Sequence, residues 1–277
     1  MCCFSRPIKH VSKTRIFARD TGTKQQVLVY SMSLALIEDT AMVLPLPVEL
    51  SDGKPPAEDA VRFIDLSGYA TFFDDLDPAF PELLGAPKGR GTLRFLQQSS
   101  RSRLQVHSVG AFDASFVPSP GDFDRLEPCF RLQPKAFDDL PGYKDYGFAV
   151  FKLKRPRSVW DRLRGKAHSY HPMAFSFARR RPSEVFFPTV HIHDGQVHAR
   201  ADFDHTLYLQ AAANAEPKGD WQRSFGPLSQ HLAQKKADAI CDLNAPGFRC
   251  LLIGSQPNQD VRVDLRPATA ASTSPSA

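Results

Sequence analysis

The sequence predicts an α+β fold that is predominantly antiparallel β, with a few short helices. Three observations predict it. The 277 residues include 23 prolines, which break helices and are confined to the edges and ends of strands. The 21 phenylalanines suit a strand-rich core, and a hydrophobic share of 42% is enough to bury one sizeable core. Finally, short apolar runs separated by turn residues recur along the chain, as in strand-rich domains.

The first part of the chain predicts a three-stranded antiparallel start over residues 14–48. Two apolar stretches flank a turn around Gly22, and the second of them, "QVLVYSMSLAL", alternates in the manner of a long strand. A third strand, "TAMVLPLPV", is expected to stop at Pro45 and Pro47, because proline donates no hydrogen bond within a sheet.

Further elements follow the same patterns. Strands are predicted at "RLQVHSVGAFDASFVP", "YGFAVFKLK", "MAFSFARR", "HTLYLQAA", "FRCLLIG" and "DVRVDLR". The stretch "GPLSQHLAQKKADAI" predicts an amphipathic helix, because Leu228, Leu232, Ala239 and Ile240 lie roughly on one face. The elements therefore predict many strands and a few short helices, among which this one has the clearest amphipathic pattern.

The organisation of the chain predicts one domain over residues 1–266 and a disordered tail over residues 267–277, which are small, polar and proline-containing. No stretch has the 18 uncharged apolar residues of a membrane-spanning helix, and the first ten residues lack the apolar core of a signal peptide. The five cysteines are odd in number and form no disulfide framework. Together these features predict a reduced, cytoplasmic protein.

The net charge of +5 is mildly basic and does not require an anionic partner. Residues 152–166 contain seven basic residues against one acid, Asp161. A solvated loop and helix face explain this segment, and the alternative is a surface for an anionic partner. Nucleic-acid binding is not expected, because no recognition module and no aromatic stacking platform is present.

Several motifs follow one another in an order that is similar to that of a known domain family. They are "AMVLPLPV", "VGAFDASFV", "YGFAVFKLK", and "HPMAFSF" followed by "VFFPTVHI", and they cover most of residues 14–193. This series resembles a bacterial β-rich domain family of unknown function that is often found in exported proteins. The resemblance implies a β-rich fold and assigns no catalytic residue. The chain departs from that family because it lacks a recognisable export signal.

A histidine-rich segment, "FFPTVHIHDGQVHARADF", supplies the main functional hypothesis. Its Asp194-Gly195 pair predicts a tight β-hairpin turn. In that hairpin His191, His193 and His198 share one face, because side chains alternate along a strand. His205 has the opposite parity and would join them only through a bulge.

Three imidazoles on one face are close enough to bind one ion. Opposite residues have Cβ atoms roughly 4.5–5.5 Å apart, which lets ring nitrogens meet a zinc ion at roughly 2.0–2.1 Å. The sequence therefore predicts divalent-metal binding, to zinc for example, through His191, His193 and His198, and a metal-dependent hydrolase is one possible activity. His171 and His205 are additional candidates. The alternatives are that these histidines are ordinary polar residues on the exposed face of a strand, or that they serve acid–base catalysis without a metal.

The cysteines near the amino terminus suggest a second hypothesis. Removal of Met1 would make Cys2 terminal, so that its α-amine could act as a base for the thiol, as in N-terminal-nucleophile hydrolases. Cys2 or Cys3 could also serve as a soft metal ligand beside the histidines. Two ordinary thiols near a terminus are the simpler interpretation. A third hypothesis is a non-enzymatic binding protein that uses residues 152–166, so the sequence leaves open whether the protein is an enzyme.

Overall fold

The structure is a computed structural model. It describes residues 2–6, 8, 10–36, 38–82, 107–109, 112–132, 141–153, 168–192, 197–212 and 215–265. The strands in these ranges are β1 (Cys2–Phe4), β2 (His10–Asp20), β3 (Gln25–Ala35), β4 (Thr40–Leu46), β5 (Val61–Ile64), β6 (His107–Val109), β7 (Phe112–Val117), β8 (Gly147–Leu153), β9 (His168–Ser169), β10 (Met173–Ala178), β11 (Glu184–Phe187), β12 (His191–Ile192), β13 (Arg200–Gln210), β14 (Gln222–Arg223), β15 (Phe248–Pro257) and β16 (Val261–Asp264). The tail predicted for residues 267–277 lies outside the described residues.

The helical segments are short. The α-helices in the described ranges are α1 (Phe72–Leu76) and α2 (Gln234–Ala237). Single 3₁₀ segments lie at Ser67–Tyr69, Asp77–Ala79, Pro120–Arg125, Pro128–Phe130, Pro141–Tyr143 and Leu228–Gln230. None of these described helices has the length and apolar character needed to cross a membrane.

The predicted α+β, predominantly antiparallel class is wrong. The described residues are mostly β, with 46% strand and 14% helix, and the sheets are mixed. A six-stranded sheet has the order β12-β1-β4-β8-β7-β6, and an eight-stranded sheet has the order β14-β15-β13-β2-β3-β10-β5, with β9 beside β3. Strands β11 and β16 form a separate antiparallel pair. The mixed character comes from two parallel contacts, β1 with β12 and β2 with β13.

The two parallel contacts have one structural origin. Strands β1 and β12 run parallel in the six-stranded sheet. Strands β2 and β13, which come next in the chain after β1 and β12, run parallel in the eight-stranded sheet. Parallel neighbours need a long connection, and here residues 21–199 connect β2 to β13. Pairing between such distant segments has no local turn signal in the sequence, which is why antiparallel hairpins were expected instead.

The eight-stranded sheet is buried on both faces at its strand β3. On one face of β3, Leu28 and Tyr30 join a main core that includes the buried strands β4 and β8 of the six-stranded sheet. On the other face Val27 and Val29 join a second core, which also contains Phe72 of α1. Strand alternation produces this division, because successive side chains point to opposite faces. Full burial of each such side chain contributes about 1.5–3 kcal/mol.

The expected three-stranded start is only partly correct. Strands β2 and β3 form the predicted antiparallel hairpin, and Gly22 adopts a positive φ of 78° at its turn. Strand β4 leaves this hairpin and pairs with β1 and β8 in the other sheet. Pro45 is tolerated within β4 because it lies beyond the residues that pair with β1.

The predicted amphipathic helix is largely absent. Leu228, Leu232 and Ile240 are buried and face the core as expected, but Ala239 is exposed. However, Ala233 has an extended backbone with ψ of 105° between the 3₁₀ turn and α2, and no side chain caps α2. Packing of individual apolar residues in the second core therefore replaces a continuous helix.

A buried arginine ties the β2–β3 turn to β10 and β11. Arg179 is only 2% exposed, and its guanidinium donates to the Asp20 carboxylate at 2.6 Å. It also donates to the carbonyl oxygens of Thr23, Lys24 and Glu184 at 2.7, 3.3 and 3.2 Å. The buried charge is thereby paired with a carboxylate and fully hydrogen-bonded, which is the condition for tolerating it.

Two buried tyrosines are expected to make the protein less stable in alkali. Tyr143 donates to Asp260 at 2.6 Å and Tyr208 donates to Asp77. Burial, together with the neighbouring carboxylate, raises the pKa of both phenols. Because the folded state favours the protonated phenol, its contribution is complete below about pH 10 and is lost as pH rises further, by up to about 1.4 kcal/mol per pH unit for each tyrosine.

Urea unfolding between pH 8 and 11 measures this effect, with the Tyr143→Phe/Tyr208→Phe double variant as the comparison. The free energy of unfolding of the variant is expected to fall less steeply above about pH 10. Spectrophotometric titration of the folded protein provides an independent check. Ionisation of all six tyrosines at their ordinary pKa would contradict the expectation.

Candidate functional site

Two histidines from different sheets meet where β12 of the six-stranded sheet approaches β13 of the eight-stranded sheet. The Nε2 atoms of His191 on β12 and His205 on β13 are 3.1 Å apart. Their ring centroids are 4.6 Å apart, with the planes inclined at 48°. His205 is fully buried and His191 is half-buried. We call these two residues the histidine pair.

Strand β13 positions His205 by alternation. Phe203, His205 and Leu207 occupy every second position of the strand and are buried, and Leu207 belongs to the main core. The Phe203 ring packs edge-on against His191 with centroids 4.6 Å apart, and its centroid lies 5.2 Å from that of His205. An aromatic side chain therefore holds both imidazoles in place.

Strand β12 is held by an amide side chain from the loop between β15 and β16. The Oδ1 atom of Asn258 accepts a hydrogen bond from the His191 backbone N–H at 2.8 Å. Its Nδ2 group donates to the carbonyl oxygens of His191 at 2.9 Å and His198 at 3.0 Å. One side chain thus fixes the backbone on both sides of residues 193–196.

A carboxylate from the same loop holds the residues just before His191. The Oδ1 atom of Asp260 accepts hydrogen bonds from the backbone N–H groups of Thr189 at 2.9 Å and Val190 at 3.1 Å. Its Oδ2 atom accepts the bond from Tyr143. Thr189 in turn donates to the carbonyl oxygen of Gln259 at 2.8 Å. The loop therefore determines where β12 presents His191.

Cys2 is the residue paired with His191 in the parallel β1–β12 register, and Cys3 is paired with Ile192. The Cys3 side chain is buried in the main core. Cys3, Cys129, Cys241 and Cys250, the cysteines whose side chains are described, form no disulfide. Burial raises the pKa of the Cys241 and Cys250 thiols, so neither is an activated thiolate.

The structure brings His191 into contact with His205, a histidine outside the face predicted to bind the metal. His193 lies outside the described residues. His198 is exposed, and its carbonyl oxygen accepts a hydrogen bond from the Asn258 side chain, which also donates to the carbonyl oxygen of His191. The parity argument that set His205 apart from His191 is wrong. Strand β12 pairs with β1, and it meets β13 across the two sheets instead of along one hairpin. Among the residues that the structure describes, no group of three His, Cys, Asp or Glu side chains is arranged to hold a metal ion.

His171, the other additional candidate, lies elsewhere. Its ring packs against Phe112 of β7 with centroids 4.3 Å apart, and Nδ1 is 3.0 Å from the carbonyl oxygen of Pro172. Burial lowers the pKa of its imidazole. Strand β7 is four positions from β12 in the six-stranded sheet, a separation of about 19 Å at the usual strand spacing. His171 is therefore not part of the histidine pair's site.

The geometry of the histidine pair allows two kinds of chemistry. As a hydrogen bond, the 3.1 Å contact needs one protonated and one unprotonated Nε2 atom. As a pair of metal ligands, two nitrogens at about 2.05 Å from a tetrahedral zinc ion would lie about 3.3–3.4 Å apart. The observed separation is close to that value. In addition, Asp204 places a carboxylate oxygen 4.0 Å from His205 Nδ1.

Sequence reasoning missed Asn258 and Asp260, the side chains that position β12. They lie in the segment "PNQD", which reads only as a turn between two strands. Within the basic segment, Lys152 is described, and it pairs with Glu127 at 3.4 Å and lies over the Phe130 ring. Residues 154–166 lie outside the described ranges, so the anionic-partner hypothesis stays a prediction.

Comparison with known proteins yields only distant structural likenesses. No protein-family model matches the chain and no curated protein sequence is similar to it, so the resemblance to a bacterial family stays a prediction. The chain is similar to crystal structures of baculovirus P35 (TM-score 0.44, 11% identity, covering 92% of this chain and 97% of that one) and of a mutated baculovirus P35 after caspase cleavage (TM-score 0.45, 12% identity, covering 92% and 99%). It is also similar to the caspase-8/P35 complex (TM-score 0.44, 10% identity, covering 92% and 96%). At these TM-scores the likeness supports no inference about function.

Proposed function

We propose that the protein binds a divalent transition metal through His191 and His205, with Cys2 as the third ligand. The observation that carries this proposal is the 3.1 Å separation of the two Nε2 atoms, which is near the spacing of two ligands on one tetrahedral ion. Cys2 is included because it is paired with His191 in the β1–β12 register.

The donor set suits zinc better than a hard cation. Imidazole nitrogen and thiolate sulfur are zinc ligands, whereas magnesium and calcium prefer oxygen. The buried position of His205 and the packing of Phe203 provide the fixed surroundings that a metal ligand requires. A site with three protein ligands leaves one position for water, whose pKa the metal would lower, and metal-dependent hydrolysis is the activity that this arrangement fits best.

The proposed site differs from the one expected from sequence in a way that an experiment can detect. His205 replaces His198 as the partner of His191, so the two histidines should respond differently to substitution. His198→Ala is the matched control, because His198 is exposed and contacts the rest of the site through its backbone carbonyl.

Isothermal titration of metal-free protein with zinc, together with elemental analysis, tests the proposal. We expect about one equivalent of zinc, and a loss of affinity of more than about 100-fold in His191→Ala and in His205→Gln, since even outer ligand partners can cost that much. Cys2→Ser should weaken binding, and His198→Ala should leave it unchanged. Circular dichroism confirms that each variant is folded. Unchanged zinc affinity in folded His205→Gln would exclude the proposal.

A second candidate function is favoured by the same register. If His191 acts as a base for Cys2, the thiol is a nucleophile and not a ligand, as in other cysteine–histidine pairs. Iodoacetamide labelling of metal-free protein, followed by peptide mapping, measures the rate at which Cys2 is alkylated. This rate should be lower in His191→Gln than in the wild-type protein. Equal Cys2 rates in the two proteins would exclude this role, whereas protection of Cys2 by added zinc would favour the metal site.

A further inference from the structure

Strand β15 has one edge that no described strand covers over most of its length. It pairs with β13 along ten residues, from Phe248 to Pro257. On its other side β14 pairs only with Phe248 and Arg249. From Cys250 to Pro257, that second side therefore faces no strand among the residues that the structure describes.

The side chains along this edge are unusual for an exposed strand. Leu251 is 42% exposed and Ile253 is 55% exposed, and they are two of the three large hydrophobic residues with this degree of exposure in the described part of the chain. The stretch from Cys250 to Gln259 contains no charged residue. Proteins usually protect sheet edges with charges or prolines, and here Pro257 comes only at the end of the strand.

The hydrogen bonds show which backbone groups point outward. Carbonyl oxygens at alternate positions accept bonds from side chains, as in Leu251 from Cys250 (3.8 Å), Ile253 from Gln256 (3.2 Å) and Ser255 from Arg200 (2.6 Å). In an antiparallel pair the backbone groups of alternate residues face the neighbouring strand. Residues 251, 253 and 255 therefore present their N–H and C=O groups to the open side.

We propose that this edge binds a second copy of the chain through antiparallel pairing of β15 with β15. In a two-fold contact both partners present the same residues. The outward residues of one edge then lie opposite the outward residues of the other, so the hydrogen-bond patterns match except at Pro257, which has no N–H to donate. The stretch from Cys250 to Gln259 has no charged side chain of its own, so the two copies of it do not repel each other. The Arg200 guanidinium, which donates to the Ser255 carbonyl oxygen, lies at one end of the contact.

One register fits the open length. When the two Gly254 residues face each other, the paired stretch runs from Leu251 to Pro257 in both copies. Ile253 then lies opposite the partner subunit's Ser255. The paired stretch ends before Arg249, where β14 begins to cover the edge. The dimer thus joins the eight-stranded sheets of two copies into one continuous sheet.

Sedimentation velocity over a hundredfold range of concentration tests the pairing. We expect a monomer–dimer equilibrium, and Ile253→Lys is expected to weaken it by about 100-fold or more, because it adds a like charge to both sides of the contact. Phe225→Lys is the matched control, since Phe225 is 72% exposed but does not lie on β15. The Phe225→Lys variant should still form the dimer. Thermal unfolding confirms that both variants are folded.

Cross-linking tests the register. Under mild oxidation the Ile253→Cys/Ser255→Cys double variant should form an intermolecular disulfide, since opposed residues of a hydrogen-bonded pair have Cα atoms about 5.5 Å apart. Ile253→Cys alone should not, because the two copies of residue 253 are offset along the strands. A wild-type protein that is monomeric at every concentration, or a dimer that Ile253→Lys leaves intact, would overturn the proposal.

Discussion

Replacing Arg179 with alanine is expected to lower the free energy of unfolding by about 3–5 kcal/mol. The substitution leaves the Asp20 carboxylate, whose side chain is 14% exposed, without its ion-pair partner. It also removes the donor for the carbonyl oxygens of Thr23, Lys24 and Glu184. Removing one member of a buried ion pair is costly because the other charge stays desolvated.

Urea denaturation followed by circular dichroism measures this change. Arg181→Ala is the matched control, because Arg181 is two residues away, its side chain is 66% exposed, and it pairs with Glu184 at 3.2 Å. That exposed pair should contribute at most about 1 kcal/mol. The loss of unfolding free energy in Arg179→Lys should fall between those in Arg179→Ala and Arg181→Ala. Lysine keeps the positive charge but lacks the planar guanidinium with its several donors. Equal losses in Arg179→Ala and Arg181→Ala would contradict the structural role assigned to Arg179.

Replacing Asp260 with alanine is expected to cost about 3 kcal/mol or more of unfolding free energy, because several groups lose a charged acceptor at once. The backbone N–H groups of Thr189 and Val190 and the phenol of Tyr143 all donate to this carboxylate. Since Val190 immediately precedes His191, the same substitution should release β12 and weaken zinc binding by about 10–100-fold, the range typical of outer partners.

The two effects of Asp260→Ala are measured separately, by urea denaturation and by zinc titration at a temperature where the variant is folded. Asp202→Ala is the matched control, because Asp202 is an exposed aspartate on β13 close to the site in sequence. It should change neither quantity appreciably. A stable Asp260→Ala protein with full zinc affinity would show that the loop does not position His191.

Local patterns in the sequence predicted the elements that depend on neighbouring residues. Gly22 marks the β2–β3 turn because its positive φ is one that glycine adopts without strain. The continuous apolar run "YGFAVFKLK" predicted the wholly buried strand β8. In both cases the physical cause, a turn conformation or burial on two faces, acts within a few residues.

Long-range pairing could not be predicted in the same way. The parallel contacts of β1 with β12 and of β2 with β13 join segments almost 200 residues apart, and nothing local specifies them. The histidine pair depends on these contacts, because His191 reaches His205 only after the two segments pass between the sheets. A hairpin register was therefore a poor guide to which histidines meet.

Zinc-edge X-ray absorption of the zinc-loaded protein tests the central claim most directly. The account predicts a first shell with nitrogen neighbours at about 2.0–2.1 Å, showing the pattern of two imidazoles, and one sulfur neighbour at about 2.3 Å. The sulfur should be lost in Cys2→Ser and one imidazole in His205→Gln, while His198→Ala should give the wild-type spectrum. A shell of oxygen neighbours alone, or a spectrum that changes in His198→Ala and not in His205→Gln, would contradict it.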